Sequence, residues 1–350
     1  MVRVAANPSL NWLKNNDIKA VAIVGICKNA GKTTLLNYLL AQNSNLTWGV
    51  FSTGLDGEDT DQVFRVPKPR VKLDSGTIFC CDTPTLDGHG SAVSVLAELP
   101  KLSPHRPLWL AKAQIPVQTQ ITGPASMNDQ IRVLRKIQAL GAEKVLIDGA
   151  LDRKSIALSD AVDAVIVLIG ASYGSTDAIR TEIKRLQTLN RLEQYISAGK
   201  GSQYTAPLLD SESIWITRVG EWIKTEIESL IGIKSELQTL LGDKPEKIYI
   251  PGVITDSVLS RIRTPLLESG AGIILRHPDC LKLSFPKLER FVQDFEPKVM
   301  VPFKIKNYFL NTASIGSQAV DAGEFRQKLR SEFPGLGFVD IRELEYDRQG

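Results

Sequence analysis

Residues 25–34 read Gly25-Ile-Cys-Lys-Asn-Ala-Gly-Lys-Thr-Thr34, which fits the pattern G-x-x-x-x-G-K-[ST]. In this pattern, successive backbone N–H groups wrap phosphate oxygens, because the glycines leave the main chain unobstructed. Lys32 adds a positive charge against the β- and γ-phosphates, and the hydroxyl of Thr33 is offered to Mg²⁺. The helix that follows points the positive end of its dipole at the same anion. The stretch therefore predicts a nucleotide-phosphate site.

The residues on either side supply the context that this motif requires. Lys19–Gly25 is a short apolar run typical of a buried strand, and Lys32–Gln42 carries leucines at helical spacing. The order strand, loop and helix is therefore expected. The residues expected to contact the nucleotide are those of the loop and of the first helical turn: Gly25, Lys28, Asn29, Ala30, Gly31, Lys32, Thr33 and Thr34.

The composition is that of an ordinary folded protein, with 350 residues, 43% hydrophobic and 23% charged. The net charge of +3 is small and no dense Lys/Arg block occurs, so we expect neither nucleic acid nor membrane as a partner. No apolar run reaches the ~20 residues of a membrane helix. The four cysteines lack metal-ligand spacing, which favours a cytoplasmic protein with core cysteines and no disulfide framework.

Apolar strand segments alternate with helical segments through the first half of the chain. This order predicts an α/β fold with a doubly wound, mainly parallel sheet of the P-loop NTPase type. We expect an N-terminal segment over residues 1–17 and the P-loop NTPase core over residues 18–195. After a loop-rich stretch, residues 210–350 are expected to form an α/β C-terminal region, which either extends the sheet or makes a small second domain.

Several elements outside the loop region follow from local patterns. Helices are expected around Ala92–Glu98 and over Trp222–Leu241, and a strand over Lys298–Ile305. A further helix is expected after Thr122–Ser126, with Ser126 as its N-cap and Gly141 as its stop signal. The alternative role of this exposed helix start is to bind an anion.

Two apolar strand segments end in an aspartate, at Asp82 and at Asp148. A carboxylate at a strand tip can meet Mg²⁺ directly or through water, so either residue is a metal-site candidate beside Thr33. Asp148 is preferred because Gly149 and Ala150 follow it and let the chain turn close to a ligand. Asp82 remains the alternative.

An acidic, glycine-containing loop over residues 54–61 follows the second predicted strand. Loops at the carboxyl ends of parallel strands surround the ligand in open α/β sheets. Asp56 and Glu58 are therefore candidates to hold Mg²⁺ or to orient the attacking water, and a solvated turn is the alternative reading. Arg153 is a candidate to neutralise phosphate charge, unless it pairs with Asp152.

Four stretches together carry a family resemblance: Cys27–Leu39, Gly54–Asp59, Thr122–Ser126 and Val145–Lys154. Over roughly residues 18–310, the chain resembles the P-loop subunit of the lysine 5,6-aminomutase reactivase family. The resemblance implies that ATP is used to exchange damaged cobalamin from a cobalamin-dependent aminomutase, beside a second, different ATPase subunit. More broadly, the chain is similar to dethiobiotin-synthetase-like P-loop proteins, whose acidic residue before Gly-Ala matches Asp148.

The leading hypothesis is a Mg²⁺-dependent ATPase that remodels a partner enzyme, with Lys32, Asp56 and Asp148 as the catalytic residues. An ATP-dependent small-molecule kinase or ligase is an alternative, with a substrate pocket built by Lys68, Arg70 and the turn over residues 122–126. A nucleotide-binding regulator with little turnover is another. A GTPase would need a guanine-reading Asn/Thr-Lys-x-Asp element, which the sequence does not show in the expected region.

Overall fold

The computed structural model describes residues 10–42, 45–53, 70–100, 107–150, 156–196, 203–231, 234–313 and 321–346. The chain divides into two compact units, Met1–Ile179 with Lys304–Gly350, and Arg180–Phe303. This division differs from a single boundary between residues 195 and 210, because the chain returns to the first unit after Phe303. Thus the C-terminal region contributes both to a second unit and to the first sheet.

Up to the division, the chain forms β1 (Ala20–Gly25), α1 (Lys32–Gln42), β2 (Trp48–Ser52), β3 (Val71–Leu73), β4 (Ile78–Asp82), α2 (Thr83–Asp87), β5 (Val93–Leu99), β6 (Leu108–Ala113), β7 (Val117–Thr119), α3 (Met127–Ala139), β8 (Lys144–Ala150), β9 (Ala164–Gly170) and α4 (Thr176–Asn190). The second unit contains α5 (Thr205–Asp210), β10 (Trp215–Arg218), β11 (Glu221–Lys224), α6 (Lys234–Gly242), β12 (Lys247–Ile250), β13 (Ile254–Thr255), α7 (Asp256–Ser269), β14 (Gly272–Leu275), β15 (Leu281–Lys282), α8 (Phe285–Phe295) and β16 (Lys298–Val299). The returning segment forms β17 (Ile305–Asn311), α9 (Ala322–Glu332), β18 (Val339–Asp340) and α10 (Ile341–Tyr346).

The first unit is built on a nine-stranded sheet with the order β18-β17-β9-β1-β8-β2-β4-β6-β5 among the described residues. The strands from β18 to β4 are parallel to one another, and β6 runs antiparallel to both β4 and β5. The α/β class and the mainly parallel sheet are therefore confirmed. The sheet is mixed at its β5 edge.

Helices cover both faces of this sheet. On one face, Val21 and Ile23 of β1 belong to the same buried cluster as Leu35 and Leu39 of α1. On the other face, α3 packs so closely that a side chain at Gly49 would place its Cβ 2.2 Å from Cγ2 of Ile137. We call the first of these faces the α1 face.

The helix expected around Ala92–Glu98 is wrong, because this stretch forms the edge strand β5. Its residues pair antiparallel with β6, with a bulge between Val95 and Ala97. Alanine, leucine and glutamate in this stretch favour a helix locally. The hydrogen bonds offered by β6 outweigh that local preference, as is common for short segments with β-branched residues.

The second unit has its own sheet, with the order β11-β10-β12-β14-β16 among the described residues. The helix expected over Trp222–Leu241 is wrong in its first part, because Trp222 lies in β11 and pairs with Thr217 of β10. Within the described part of that range, α6 is the helix. The strand expected over Lys298–Ile305 is divided between β16 and β17, and Pro302, which has no N–H to donate, lies between them.

The described N-terminal residues pack on the first sheet. Leu13 is buried in the core cluster of the α1 face. The ammonium of Lys144 donates to the carbonyls of Asn15 and Ile18, and Trp12 Nε1 donates to Asn307 Oδ1 at 2.5 Å. Among the helices in the described ranges, none is both long and apolar enough to cross a membrane.

Candidate functional site

The glycine-rich loop, Gly25–Lys32, joins the carboxyl end of β1 to the start of α1. The predicted strand ends where expected, and the predicted helix has the expected bounds. In the sheet, β1 lies between β8 and β9, and the N–H of Ile26 donates to the carbonyl of Leu168 on β9 at 3.0 Å. The loop thus lies at the carboxyl edge of a parallel sheet, where α/β proteins place ligands.

Both glycines of the motif are required by the shape of the loop. A side chain at Gly25 would put its Cβ 2.8 Å from Cβ of Ala30. Gly31 has φ +93, and a side chain there would put its Cβ 2.2 Å from Cδ1 of Ile341. Asn29 also has a left-handed backbone, with φ 57. The loop is therefore a tight turn that other residues could enter only with strain.

The end of β9 supports the loop from one side. A side chain at Gly170 would put its Cβ 2.7 Å from Sγ of Cys27 and 3.2 Å from Cα of Ala30. Sγ of Cys27 lies 3.4 Å from Oγ of Ser172, which follows Gly170. The sequence marked Gly170 only as a strand end, and its role in admitting the loop depends on the fold.

The side chains of the loop divide into a buried and an accessible set. Ala30 is fully buried, so only its main chain can meet a ligand. Lys28 and Asn29 are exposed, and Lys32 and Thr33 are partly exposed, as is Thr34. The first turn of α1 contains no acidic residue. Positive charge, the N–H groups of a helix start and access to solvent make this loop suited to an anion.

Asp148 lies on the strand next to β1 and on the α1 face. It is in register with Ile23 of β1 and with Ser52 of β2. Its side chain is partly exposed, and its main-chain oxygen accepts a hydrogen bond from the N–H of Thr53 at 2.8 Å. The structure therefore brings Asp148 to the edge and the face on which the glycine-rich loop and α1 lie. Ser52, which sequence reasoning missed, lies beside it and is buried.

Asp82 is not brought to the loop. Between β4 and β1 lie β8 and β2, so Asp82 is roughly 14 Å from β1 by strand spacing. Phe79 and Cys81 belong to the core cluster of the α1 face, so Asp82, one residue further along the strand, faces the opposite side. Its carboxylate accepts from the N–H of Thr85 at 3.1 Å and caps α2. Asp82 is thus a helix cap three strands from β1, and the metal-site alternative at this residue remains a prediction from the sequence.

Several candidates lie outside the described residues, namely Asp56, Glu58, Lys68 and Arg153. The loop that carries Asp56 follows Thr53, which hydrogen bonds to Asp148. Arg70 is described and exposed, and its carbonyl accepts from the side-chain amide of Asn37 at 3.0 Å.

The turn over residues 122–126 is part of the framework. The N–H of Ser52 donates to the carbonyl of Thr122, and the N–H of Thr122 donates to the carbonyl of Cys80. A side chain at Gly123 would put its Cβ 1.9 Å from the carbonyl oxygen of Ser52. The segment thus fills the space between the ends of β2 and β4. Ser126 caps α3 by accepting from the N–H of Asp129 at 3.2 Å, as predicted.

The cysteines are free thiols, and Cys80 and Cys81 are buried on β4. Burial, and then the charge of Asp82, raise the pKa of Cys81 to about 12, and burial also raises the pKa of Cys80. Both thiols therefore stay protonated and unreactive at neutral pH. Nε2 of His89 lies 2.8 Å from Oγ1 of Thr119.

The described residues contain no group of three or more His, Cys, Asp or Glu side chains arranged to hold a metal ion. A divalent ion at the loop would therefore need ligands from a bound phosphate chain as well as from Thr33 and Asp148. That is how Mg²⁺ is commonly held, with one or two carboxylates and the oxygens of its phosphate partner. The donor set at the loop fits Mg²⁺ carried in by a nucleotide.

Two residues of the returning segment complete the surroundings of the loop. Nδ2 of Asn311, at the end of β17, donates to the carbonyl of Asn29 at 3.3 Å. Ile341, at the start of α10, packs against Gly31. An apolar strand ending in Asn, Tyr308-Phe-Leu-Asn311, was the only signal for the first of these in the sequence.

Comparison with known proteins found no protein-family model and no curated protein that matches this chain.

Proposed function

We propose that the protein has a P-loop NTPase core and is a Mg²⁺-dependent ATPase. The single observation that carries this proposal is the arrangement at the carboxyl edge of the first sheet. A loop of the sequence Gly-x-x-x-x-Gly-Lys-Thr leads from β1 into α1, and the carboxylate of Asp148 lies one strand away on the α1 face. Phosphate-binding loops of nucleotide-hydrolysing proteins use this combination of strand, loop, helix and neighbouring carboxylate.

In this proposal, each part of the loop region has a defined role. The N–H groups of the loop bind the phosphate oxygens, and Lys32 neutralises the charge that develops on the β- and γ-phosphates. Thr33 and Asp148 would hold Mg²⁺ together with phosphate oxygens, and the ion would add further positive charge at the reacting centre. Asp56 is the candidate that orients the attacking water. Catalysis would arise from positioning and electrostatic stabilisation.

We further propose that ATP turnover remodels a partner protein in the cytoplasm. The resemblance at the motifs around Lys32, Thr122 and Asp148 supports a cobalamin-dependent aminomutase as the partner enzyme, with a second ATPase subunit. Adding such an enzyme, inactivated by damaged cobalamin, should stimulate ATP hydrolysis.

The test of the ATPase compares Lys32→Ala with Lys14→Ala. Lys14 is an exposed lysine of the N-terminal segment, whose neighbour Asn15 is bound by Lys144 at the amino end of β8. The loss of the charge at Lys32 should reduce ATP turnover by roughly 100-fold or more. Lys14→Ala should hydrolyse ATP at the wild-type rate, measured as released phosphate.

Two results would contradict this proposal. Normal turnover in Lys32→Ala would place the active site elsewhere. Tight ATP binding by the wild type without phosphate release, with or without a partner, would leave a nucleotide-binding regulator instead of an ATPase.

A further inference from the structure

The segment that returns to the first sheet reaches the back of the glycine-rich loop. β17 pairs with β9, and Asn311 is in register with Gly170, which packs against Cys27 and Ala30 of the loop. Asn311 is therefore level with the carboxyl edge of the sheet, although it lies 282 residues after Asn29 in the sequence. We call the described residues 305–313 and 321–346 the C-terminal segment.

The side-chain amide of Asn311 both donates and accepts a hydrogen bond. Its Nδ2 donates to the carbonyl of Asn29 at 3.3 Å, and its Oδ1 accepts from the N–H of Ala313 at 3.0 Å. The second hydrogen bond fixes the orientation of the amide, so that its N–H group faces the loop. Asn29 has a left-handed backbone, with φ 57, a conformation that asparagine enters more readily than most residues other than glycine.

Ile341 contacts the loop at a second point. It is 3% exposed and its Cδ1 lies 2.2 Å from the position that a Cβ on Gly31 would take. Gly31 has φ +93, so both of the loop's left-handed residues, Asn29 and Gly31, are contacted by the C-terminal segment. An apolar contact at Gly31 and a hydrogen bond at Asn29 together restrict the main chain that would bind phosphate.

A polar network joins the chain neighbours of the two contact residues. Oγ1 of Thr312 donates to Oδ2 of Asp340 at 2.5 Å, and Oδ1 of Asp340 accepts from the N–H of Arg342 at 3.0 Å. Asp340 is fully buried. Arg330 of α9 donates to Glu343 of α10, which joins the two helices. Hydrogen bonds therefore join Thr312, which follows Asn311, to Asp340 and Arg342, which flank Ile341.

We propose that the C-terminal segment holds the glycine-rich loop in its phosphate-binding conformation, with Asn311 and Ile341 as positioning residues. Phosphate binding and docking of this segment are then coupled, and the coupling acts equally in both directions. A nucleotide that binds the ordered loop stabilises the docked segment. Loosening of the segment lowers the affinity of the loop for the nucleotide. This inference rests on the proposed function, because it concerns the same loop.

The first experiment compares Asn311→Ala with Asn307→Ala in the full chain. Asn307 lies on the same strand and its side chain also accepts a hydrogen bond, from Trp12, but it is distant from the loop. With Mg²⁺-ATP titrated by calorimetry, Asn311→Ala should bind about five-fold or more weakly, the usual effect of one lost hydrogen bond. Asn307→Ala should bind ATP as the wild type does, even where it lowers the melting temperature of the free protein.

A second pair tests the apolar contact in the same titration. Ile341→Ala should weaken ATP binding. Leu344→Ala removes another buried side chain of α10, and its fold loss of ATP affinity should be at least three-fold smaller. If Ile341→Ala does not fold, Ile341→Val takes its place. In either case, the comparison of Asn311→Ala with Asn307→Ala remains the deciding test of the proposal.

The reciprocal effect separates positioning from general stability. In the wild type, Mg²⁺-ATP should slow amide hydrogen exchange across residues 321–346, and this protection should be lost in Asn311→Ala at the same fraction of bound ATP. Equal ATP affinity in Asn311→Ala and the wild type, or no change in exchange on binding, would overturn the inference while leaving the ATPase intact. Failure of the wild type to bind any nucleotide would overturn the proposed function itself, and the inference with it.

Discussion

Two aspartates of this chain show how much a residue's chemistry depends on the face of the sheet it occupies. Asp82 and Asp148 both end apolar strands, and neither local sequence excludes a role with Mg²⁺. In the structure, Asp148 lies in register with Ile23 on the α1 face, whereas Asp82 follows Cys81 on the opposite face of β4 and caps α2. The same side chain is therefore a candidate metal ligand at one position and a helix cap at the other.

We predict that alanine substitutions at Asp148 and Asp82 have different effects, one on Mg²⁺ use and the other on stability. Asp148→Ala should raise the Mg²⁺ concentration needed for half-maximal ATP turnover by ~10-fold or more, because a metal partner is lost. Asp82→Ala should leave that concentration unchanged and lower the free energy of unfolding by about 1 kcal/mol, because α2 loses its N-cap. Mg²⁺ titrations of ATPase rate and urea unfolding measure the two effects. An unchanged Mg²⁺ requirement in Asp148→Ala would remove it from the metal site.

At the scale of single elements, the β10–β11 hairpin carries a strained turn. Val219 and Gly220 connect the two strands, and both have left-handed backbones, with φ 51 and φ 77. Val219 is 96% exposed, so no packing in the protein compensates for the strain of a β-branched residue in this conformation. Two-residue hairpin turns of this type favour Asn-Gly, since asparagine enters the left-handed region more easily.

We predict that Val219→Asn stabilises the protein by about 1 kcal/mol. Unfolding in urea can be followed by tryptophan fluorescence, because Trp215 and Trp222 lie in the two strands of the hairpin. The control is Val253→Asn, which changes another exposed valine that lacks a left-handed backbone and should be close to neutral. Equal effects of the two substitutions would show that polarity, and not turn geometry, is responsible.

For the whole molecule, the main feature is that the first unit is made from two separate parts of the chain. Lys304–Gly350 returns to it after the second unit, and β17 pairs with β9 in the nine-stranded sheet. Phe309, Val339 and Ile341 from the returning part lie in the same buried cluster as Leu35 and Ile166 from the first part. The core of the first unit is therefore incomplete without the end of the chain.

A truncation tests this arrangement. The fragment over residues 18–195, which the sequence suggests as a core domain, lacks β17, β18 and α10. It should show no cooperative thermal transition by circular dichroism and should bind a hydrophobic dye, because the β9 edge and an apolar surface are exposed. The full chain should melt cooperatively under the same conditions. A fragment that unfolds cooperatively and binds ATP would show that the returning segment is dispensable.

The sequence by itself determined the strand, loop and helix around the glycine-rich motif. The bounds of α1, the end of β1 and the need for glycine at positions 25 and 31 follow from apolar periodicity, and from a loop motif that is read over ten adjacent residues. The same local reasoning identified the cap at Ser126 and the aspartates at the strand ends. It failed at Ala92–Glu98, where pairing with β6 overrides the helical preference of the segment.

Only the tertiary structure decided which of these residues meet. The order of the strands and their register put Asp148 one strand from β1 and Asp82 three strands from it, and both depend on hydrogen bonds between distant parts of the chain. The contact from Asn311 to Asn29 spans 282 residues, and no local pattern contains it. Periodicity states which side of an element is apolar, but the partner that covers it is chosen by packing of the whole chain. The glycine-rich loop can therefore be predicted from the sequence, whereas the residues that contact it are known only from the tertiary structure.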